Sequence, residues 1–456
     1  MAKAALLVLA LVVALAGCAA PPPGGDGGKP PTSPTLGGPG ASDWPMYGRD
    51  LANSRHNTDE KAFDASRLKD FREAWRFFAG GAITGTPAVV DGRVYVGSWA
   101  GKFHALDAAT GRVLWNATVG ARVDSSAAVD DGVVYFGDSN GTLHARDAAT
   151  GAAKWSVRSD VYNSTHLWGS PVVVGDLVIT GVASDQESWR HKGPLDFRGS
   201  VAAFRVADGS LAWRHVLAES GEAGSPVWST PAVDLATKRL FFGTGNAYRE
   251  PAGATTDALV ALSLEDGSRV WLRQMTKNDV FTQTNPISPD WDFGASANLF
   301  RVGDRLVMGE GQKSSVYHVL DAATGDIVWQ HGEAVSGDGI VGSTAAAGGR
   351  IVVPYAAKQR VAALAMADGR EVWTRPLDGA VFAPPAVAGG VVVVGSTGGT
   401  LHALSLATGE SLAAKALGVG PIYGGASLAS GRVFVGTQGA KGFLGDDGWL
   451  VALDPV

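Results

Sequence analysis

The segment VWSTPAVDLATKRLFFGTGN, Val227 to Asn246, holds one tryptophan, Trp228, and 18 residues later an asparagine set among glycines. A flat indole offers a stacking face, and an amide oxygen suits a hard cation. Gly243 and Gly245 let backbone come close to whatever Asn246 would hold. Other groups of similar promise are Ser184 and Glu187 in ITGVASDQESW, Asp290 and Asp292 in PDWDFGAS, and Lys313 in GEGQKSSVYHVLD. An oriented carboxylate can take a proton, and an ammonium can stabilise developing negative charge. Each type also has a plain alternative as turn former, loop acid or solvated lysine. The elements around them therefore decide.

Those elements repeat. ALDAATGRVLW ends at Trp115, ARDAATGAAKW at Trp155, AFRVADGSLAW at Trp213, ALSLEDGSRVW at Trp271, VLDAATGDIVW at Trp329 and ALAMADGREVW at Trp373. ALSLATGESLA is a seventh copy, with Ala413 in the tryptophan place. Each copy follows a run like GRVYVGS and passes through a D-x-x-T-G-type turn, which is a β-hairpin signal. Repeats of about 40 to 45 residues with four strands mark propeller blades. WLVALDPV at the C-terminal end and FREAWRFF, with Trp75, combine into an eighth copy. We therefore expect an all-β, eight-bladed propeller closed by strands from both ends, which leaves no open sheet edge. The repeated tryptophans should pack between blades with their N–H groups on backbone.

Spacing then singles out part of the ring. Trp115 to Trp155 and Trp373 to Ala413 are each 40 residues, whereas Trp155 to Trp213, Trp213 to Trp271 and Trp271 to Trp329 are each 58. Insertions in propellers go to loops at one face, where sites are built. Ser184, Glu187, Trp228, Asn246 and Asp292 all fall in this lengthened part.

Before the repeats, Lys3 and the apolar run AALLVLALVVALAG lead to Cys18, the only cysteine. The run is too short for a retained span and reads as an export signal over residues 1–18. Leu15 to Cys18 resemble the bacterial lipobox, which implies lipidation of Cys18 and attachment to a membrane, periplasmic or at the outer cell surface. Residues 19–42 are Pro, Gly and Ser with little to bury and should form a disordered tether. The propeller domain is expected over 43–456. Net charge is −6 and no basic run stands out, so no nucleic-acid partner is expected.

The tryptophan repeats, the start DWPMYGRDLANSRHN, the VWSTPAVDLATKRLFFGTGNAY segment and DWDFGASANLF together resemble the pyrroloquinoline quinone (PQQ) dehydrogenases, and among them the polyvinyl alcohol dehydrogenases. The likeness runs from 43 to 456. It implies that Trp228 is the floor under the quinone, with Lys313 and Ser184 also on the cofactor. Asn246, Glu187 and Asp292 would bind calcium, and Asp292 would be the catalytic base; Asp290 is adjacent, but Asp292 fits the family motif. The register of the metal carboxylate stays open between Glu187 and its neighbours Asp185 and Gln186. Oxidation of a secondary alcohol, polymeric ones included, would pass electrons to an external acceptor such as a separate cytochrome c, because no C-x-x-C-H haem motif exists here.

Departures from the family are also visible. By resemblance, the place of the family's vicinal cysteine pair falls at Ser125 and Ser126, and that of the arginine that follows it near Asp131, which would put negative charge there. GDSNG, Gly137 to Gly141, matches G-x-S-x-G but sits in a hairpin rather than at a strand-to-helix elbow. Two function classes are carried forward: a PQQ- and calcium-dependent alcohol dehydrogenase, and a binding propeller resembling the lipoprotein of the outer-membrane β-barrel assembly machinery. An assembly scaffold has no reason to keep Trp228, Asn246 and Asp292 together on lengthened blades.

Overall fold

The repeat motif is explained by one contact. In the turn Asp147–Gly151, Asp147 Oδ1 accepts the N–H groups of Ala149 and Thr150, and Gly151 closes the turn at φ +75°. A Cβ on Gly151 would lie 2.6 Å from the ring of Trp115, which belongs to the preceding blade. That ring packs on the bare glycine and donates its Nε1–H to Ala148 O at 3.0 Å. Turn, glycine and tryptophan are thus one device for joining neighbouring blades. It recurs for Trp75, Trp155, Trp213, Trp271, Trp329 and Trp373, whose Nε1–H groups reach backbone carbonyls at 2.8–3.2 Å. Ala413 is the exception because the next blade receives its outer strand from Phe71–Phe78, without such a turn.

The computed structural model describes residues 42–286, 288–335, 337–439 and 447–456. These belong to a compact unit, Leu36–Val456. Among them the strands form eight antiparallel sheets, seven of four strands and one of five. The innermost strands are Ala88–Val90, Ala128–Asp130, Val172–Val174, Ala232–Asp234, Asn298–Val302, Ala345–Ala347, Ala386–Ala388 and Ser427–Ala429. In the last sheet Trp449–Pro455 pairs with Phe71–Phe78, so the ring closes across both ends of the described chain. The expected export signal, Cys18 and almost all of the tether lie outside the described residues. No described helix is long and apolar enough to cross a membrane.

Two further sets of bonds hold the ring at its centre. Just before successive inner strands, a backbone N–H donates to a hydroxyl of the next blade: Thr86 to Ser126 Oγ, Ser126 to Ser170 Oγ, Ser170 to Thr230 Oγ1, Thr230 to Ser296 Oγ and Ser296 to Ser343 Oγ, at 2.7–3.0 Å. The N-terminal segment 44–57 then threads past the inner strands themselves. It bonds in turn to Val89, Val129, Val233, Leu299, Ala346 and Val387 through backbone groups at 2.7–2.9 Å. Asn53, Arg55 and Asn57 are fully or almost fully buried and donate to carbonyls of other blades, including Thr230, Ala297, Pro385, Ala426 and Leu428. Strands rise about 3.3 Å per residue, so residues two positions before the hydroxyl belt and three after it lie on opposite sides. The segment 44–57 plugs one side, and the other is open.

Candidate functional site

On the open side lies a cavity of about 940 Å³. Its floor is made by residues two positions before the belt: Thr84, Asp124, Trp168, Trp228 and Gly294. Its walls are loops of the lengthened blades, which carry Ser184, Glu187, Tyr248, Asp292 and Lys313. The sequence-derived residues thus come together although more than 120 positions separate Ser184 from Lys313.

Trp228 is seated by a glycine: a Cβ on Gly294 would overlap the six-membered part of its indole. Lys313 Nζ stands 5.2 Å from the Trp228 ring centroid, a cation–π distance. The same ammonium lies 2.7 Å from Asp290 Oδ1 and 3.3 Å from Asp292 Oδ2. Burial works against a charged lysine, but the carboxylates of Asp292, Glu187 and Asp290 outweigh it and its pKa is raised. Lys313 is therefore a fixed cation above an aromatic face.

Asp292 is 1 % exposed. Its Oδ1 accepts the Asn246 backbone N–H at 2.7 Å, and the bare Gly245 faces it, so its orientation is set from two sides. The Asn246 amide is turned by its own Nδ2, which donates to Ala247 O and Phe281 O at 2.7 and 2.8 Å. That leaves Asn246 Oδ1 buried without a hydrogen-bond partner, a costly condition for a polar atom unless something occupies it. Asn246 stands behind Asp292 rather than on the cavity wall.

Ser184 caps the short 3-10 helix Asp185–Glu187, accepting from Gln186 N and bonding Tyr248 Oη at 3.3 Å. This turn separates the three candidates for the acidic position. Gln186 is spent on the loop, its Oε1 accepting the N–H groups of Asp196 and Phe197. Asp185 Oδ1 is paired with His166 at 3.1 Å. Glu187 faces Asp292 and Lys313: burial, then the Asp292 carboxylate, push its pKa up to about 8. Asp290 is pushed up to about 7 by the same two causes. Behind them Asp257 and Asp279 are buried and raised as well. The site is a carboxylate cluster held under strain of like charge, with one ammonium.

Could this set hold a divalent cation? Among the described residues no three His, Cys, Asp or Glu side chains are grouped as a metal site. The fitting donors are two carboxylates, Glu187 and Asp292, together with the orphaned amide oxygen of Asn246. Such a mixture of charged and neutral oxygens is what a calcium ion takes.

Two expectations are corrected. Ser125 and Ser126 are not over the cavity: Ser125 Oγ bonds the backbone of Gly137, and Ser126 Oγ belongs to the belt. Asp131 is an exposed turn residue at φ +42°, placing no negative charge in the site. Arginine is supplied instead by Arg122, which lines the cavity with its guanidinium 4.7 Å from the Trp99 ring centroid. Sequence reasoning missed Arg122, Asp124, Trp168 and Tyr248. Aligning the blades on TGTP, DSSA, WGSP and WSTP would have set Asp124 and Trp168 in the same ring position as Trp228.

A family model described as outer membrane protein assembly factor BamB matches residues 61–279 and 312–455. A polyvinylalcohol dehydrogenase from a Pseudomonas species is 26 % identical over 433 residues, covering 81 % of this chain and 66 % of the relative. Among solved structures, the quinohemoprotein alcohol dehydrogenase ADHIIG of Pseudomonas putida superposes with a TM-score of 0.78 at 18 % identity, over 91 % of this chain and 80 % of that one. The quinohemoprotein alcohol dehydrogenase of Comamonas testosteroni gives 0.75 at 20 % identity, over 90 % and 80 %. These likenesses carry the eight-bladed fold. The chain spans from 32 % to 66 % of the length of the first curated relatives it matches.

Proposed function

This chain belongs to the PQQ_2 family of propellers, and from that premise we propose that it is a PQQ- and calcium-dependent dehydrogenase of secondary alcohols, polymeric ones included. The observation that carries the reading is the combination of Trp228, bare-backed by Gly294, with Lys313 and Asp292 at one cavity wall. An aromatic floor suits a flat tricyclic cofactor. Glu187, Asp292 and Asn246 Oδ1 would hold the cation. Bound there, the quinone would supply a hydride acceptor and the cation a Lewis acid for its carbonyl.

The chain's own residues do the rest. Asp292, held by the Asn246 N–H, would accept the substrate hydroxyl proton at Oδ2 as general base. Lys313 pairs directly with Asp292 and would stabilise negative charge that builds on the reduced cofactor. Electrons would leave to a separate acceptor such as a cytochrome c. Export and attachment to a membrane through Cys18 complete the reading.

A second reading follows from the description of the matched family, a binding propeller without chemistry. It gives no reason for a buried, partnerless Asn246 oxygen beside Asp292. The test is dye-linked alcohol oxidation by protein reconstituted with PQQ and Ca²⁺. Wild type should turn over, and Asp292→Asn should bind PQQ but lose activity by about 10²-fold or more, the scale of general-base catalysis. Equal activity in the two proteins would remove Asp292 from the reaction.

A further inference from the structure

The cavity floor carries a second polar group, around Asp124, that the proposed chemistry does not use. His166 is fully buried between two carboxylates, with Nε2 2.6 Å from Asp124 Oδ2 and Nδ1 3.1 Å from Asp185 Oδ1. Arg122 Nε stands 3.9 Å from the same Asp124 oxygen. The His166 Nε2 and Arg122 contacts both fall on Asp124 Oδ2. The other oxygen, Oδ1, is buried and has no hydrogen-bond partner, although Asp124 lines the cavity. An acceptor so placed asks for a donor from outside the protein.

Aromatic faces stand beside it. Trp168 stacks one face on His166, with ring centroids 4.0 Å apart and planes 24° apart. The residue is still 36 % exposed and lines the cavity, so its opposite face is open to a ligand. Trp99 lines the cavity under Arg122, its Nε1–H donating to Thr84 Oγ1 at 3.0 Å. At about 940 Å³ the cavity is near the top of the range for small-ligand pockets, roughly 300–1,000 Å³, which leaves space beyond a cofactor over Trp228.

We infer that Asp124, His166 and Trp168 form a specificity subsite that binds a cyclic polyol, a sugar or cyclitol ring, by one of its non-reacting hydroxyls. The ring's C–H face lies on Trp168 and a hydroxyl donates to Asp124 Oδ1. His166 is a positioning residue: it touches no ligand, but it fixes the Asp124 carboxylate and backs the Trp168 indole. An alkyl alcohol whose single hydroxyl goes to Asp292 fits the indole but leaves Asp124 Oδ1 unsatisfied, and discrimination follows from that difference. As a substrate subsite the inference rests on the alcohol-oxidising reading of the cavity. The binding itself does not require the cofactor.

Isothermal titration of cofactor-free protein with myo-inositol and with cyclohexanone tests it, since both are neutral six-membered rings and only the first carries hydroxyl donors. Wild type should bind myo-inositol at least 10-fold more tightly, and Asp124→Asn should erase the preference. Trp168→Ala should weaken both ligands, and it alone carries the test of the platform if Asp124→Asn does not fold. His166→Gln should lower myo-inositol affinity more than cyclohexanone affinity, which a general loss of structure would not do. Equal affinity for the two rings in wild type, or a preference untouched by Asp124→Asn, overturns the subsite. Selective myo-inositol binding in a protein that fails to bind PQQ would retain the subsite and reject the dehydrogenase reading.

Discussion

The backbone N–H of Asn246 donates to Asp292 Oδ1 at 2.7 Å, while the side-chain oxygen of Asn246 has no partner. One residue thus orients the proposed base with its main chain and offers a neutral ligand with its side chain. These two duties are separable. Asn246→Ala keeps the N–H and removes the oxygen, so we expect Ca²⁺ affinity to fall by about 10-fold or more, which corresponds to about 1.4 kcal/mol. Calorimetric titration with Ca²⁺ reads this directly; unchanged affinity would take Asn246 out of the ligand set.

Gly294 should be as important as the ring it seats. A methyl there overlaps Trp228, and overpacking costs about 1–3 kcal/mol. Gly294→Ala is expected to tilt the indole and weaken PQQ binding at least 10-fold, with a smaller loss of thermal stability than Trp228→Ala at equal cofactor loss. Fluorescence titration and a melting curve on the same samples separate the two effects.

The pH dependence follows from Glu187 and Asp290. Burial and the Asp292 carboxylate raise their pKa values to about 8 and about 7 in the folded chain, above the ordinary carboxylate range near 4. The folded state therefore binds more protons than the unfolded one between about pH 4.5 and 8, and stability declines as pH rises through that window. A divalent cation takes the carboxylate form, so the gain in melting temperature on adding Ca²⁺ should be larger at pH 8.5 than at pH 6. Glu187→Gln should flatten both trends. A Ca²⁺ gain that is independent of pH would contradict the placement of Glu187.

The plug makes a stability claim. Arg55 donates to the carbonyls of Pro385, Tyr47 and Ala426 from a fully buried position. Arg55→Met leaves those acceptors unpaired, at about 1–3 kcal/mol for each stranded group. We expect a lowered melting temperature with unaltered PQQ affinity in the protein that remains folded, because segment 44–57 and the cavity lie on opposite sides of the hydroxyl belt.

The blades were legible in the sequence because the D-x-x-T-G turn and the tryptophan each require the other. Gly151 must have a positive φ and must also lack a side chain under Trp115. Even the exception, Ala413, has its cause in the closing strand. Segment 44–57 was visible only as a family likeness, since most of its partners are backbone groups of inner strands and leave no residue pattern. Asn246 stood out because Gly243 and Gly245 precede it and Trp228 because it lies outside the repeated tryptophan motif, whereas Asp124, His166 and Trp168 come from two different blades. Asp131 lies away from the cavity for a related reason: Ser125 bonds Gly137 and Ser126 belongs to the belt, so the strand that follows them leads to an exposed turn.

The central claim is that Trp228, Lys313 and the Asp292–Asn246–Glu187 set form a cofactor and cation site. Its most direct measurement is PQQ titration of residues 43–456, followed by tryptophan fluorescence with and without Ca²⁺. We expect saturable quenching that strengthens with Ca²⁺, disappears in Trp228→Ala and loses its Ca²⁺ dependence in Asn246→Ala. The absence of quenching at micromolar PQQ with Ca²⁺ present, or quenching equal in wild type and Trp228→Ala, would contradict it.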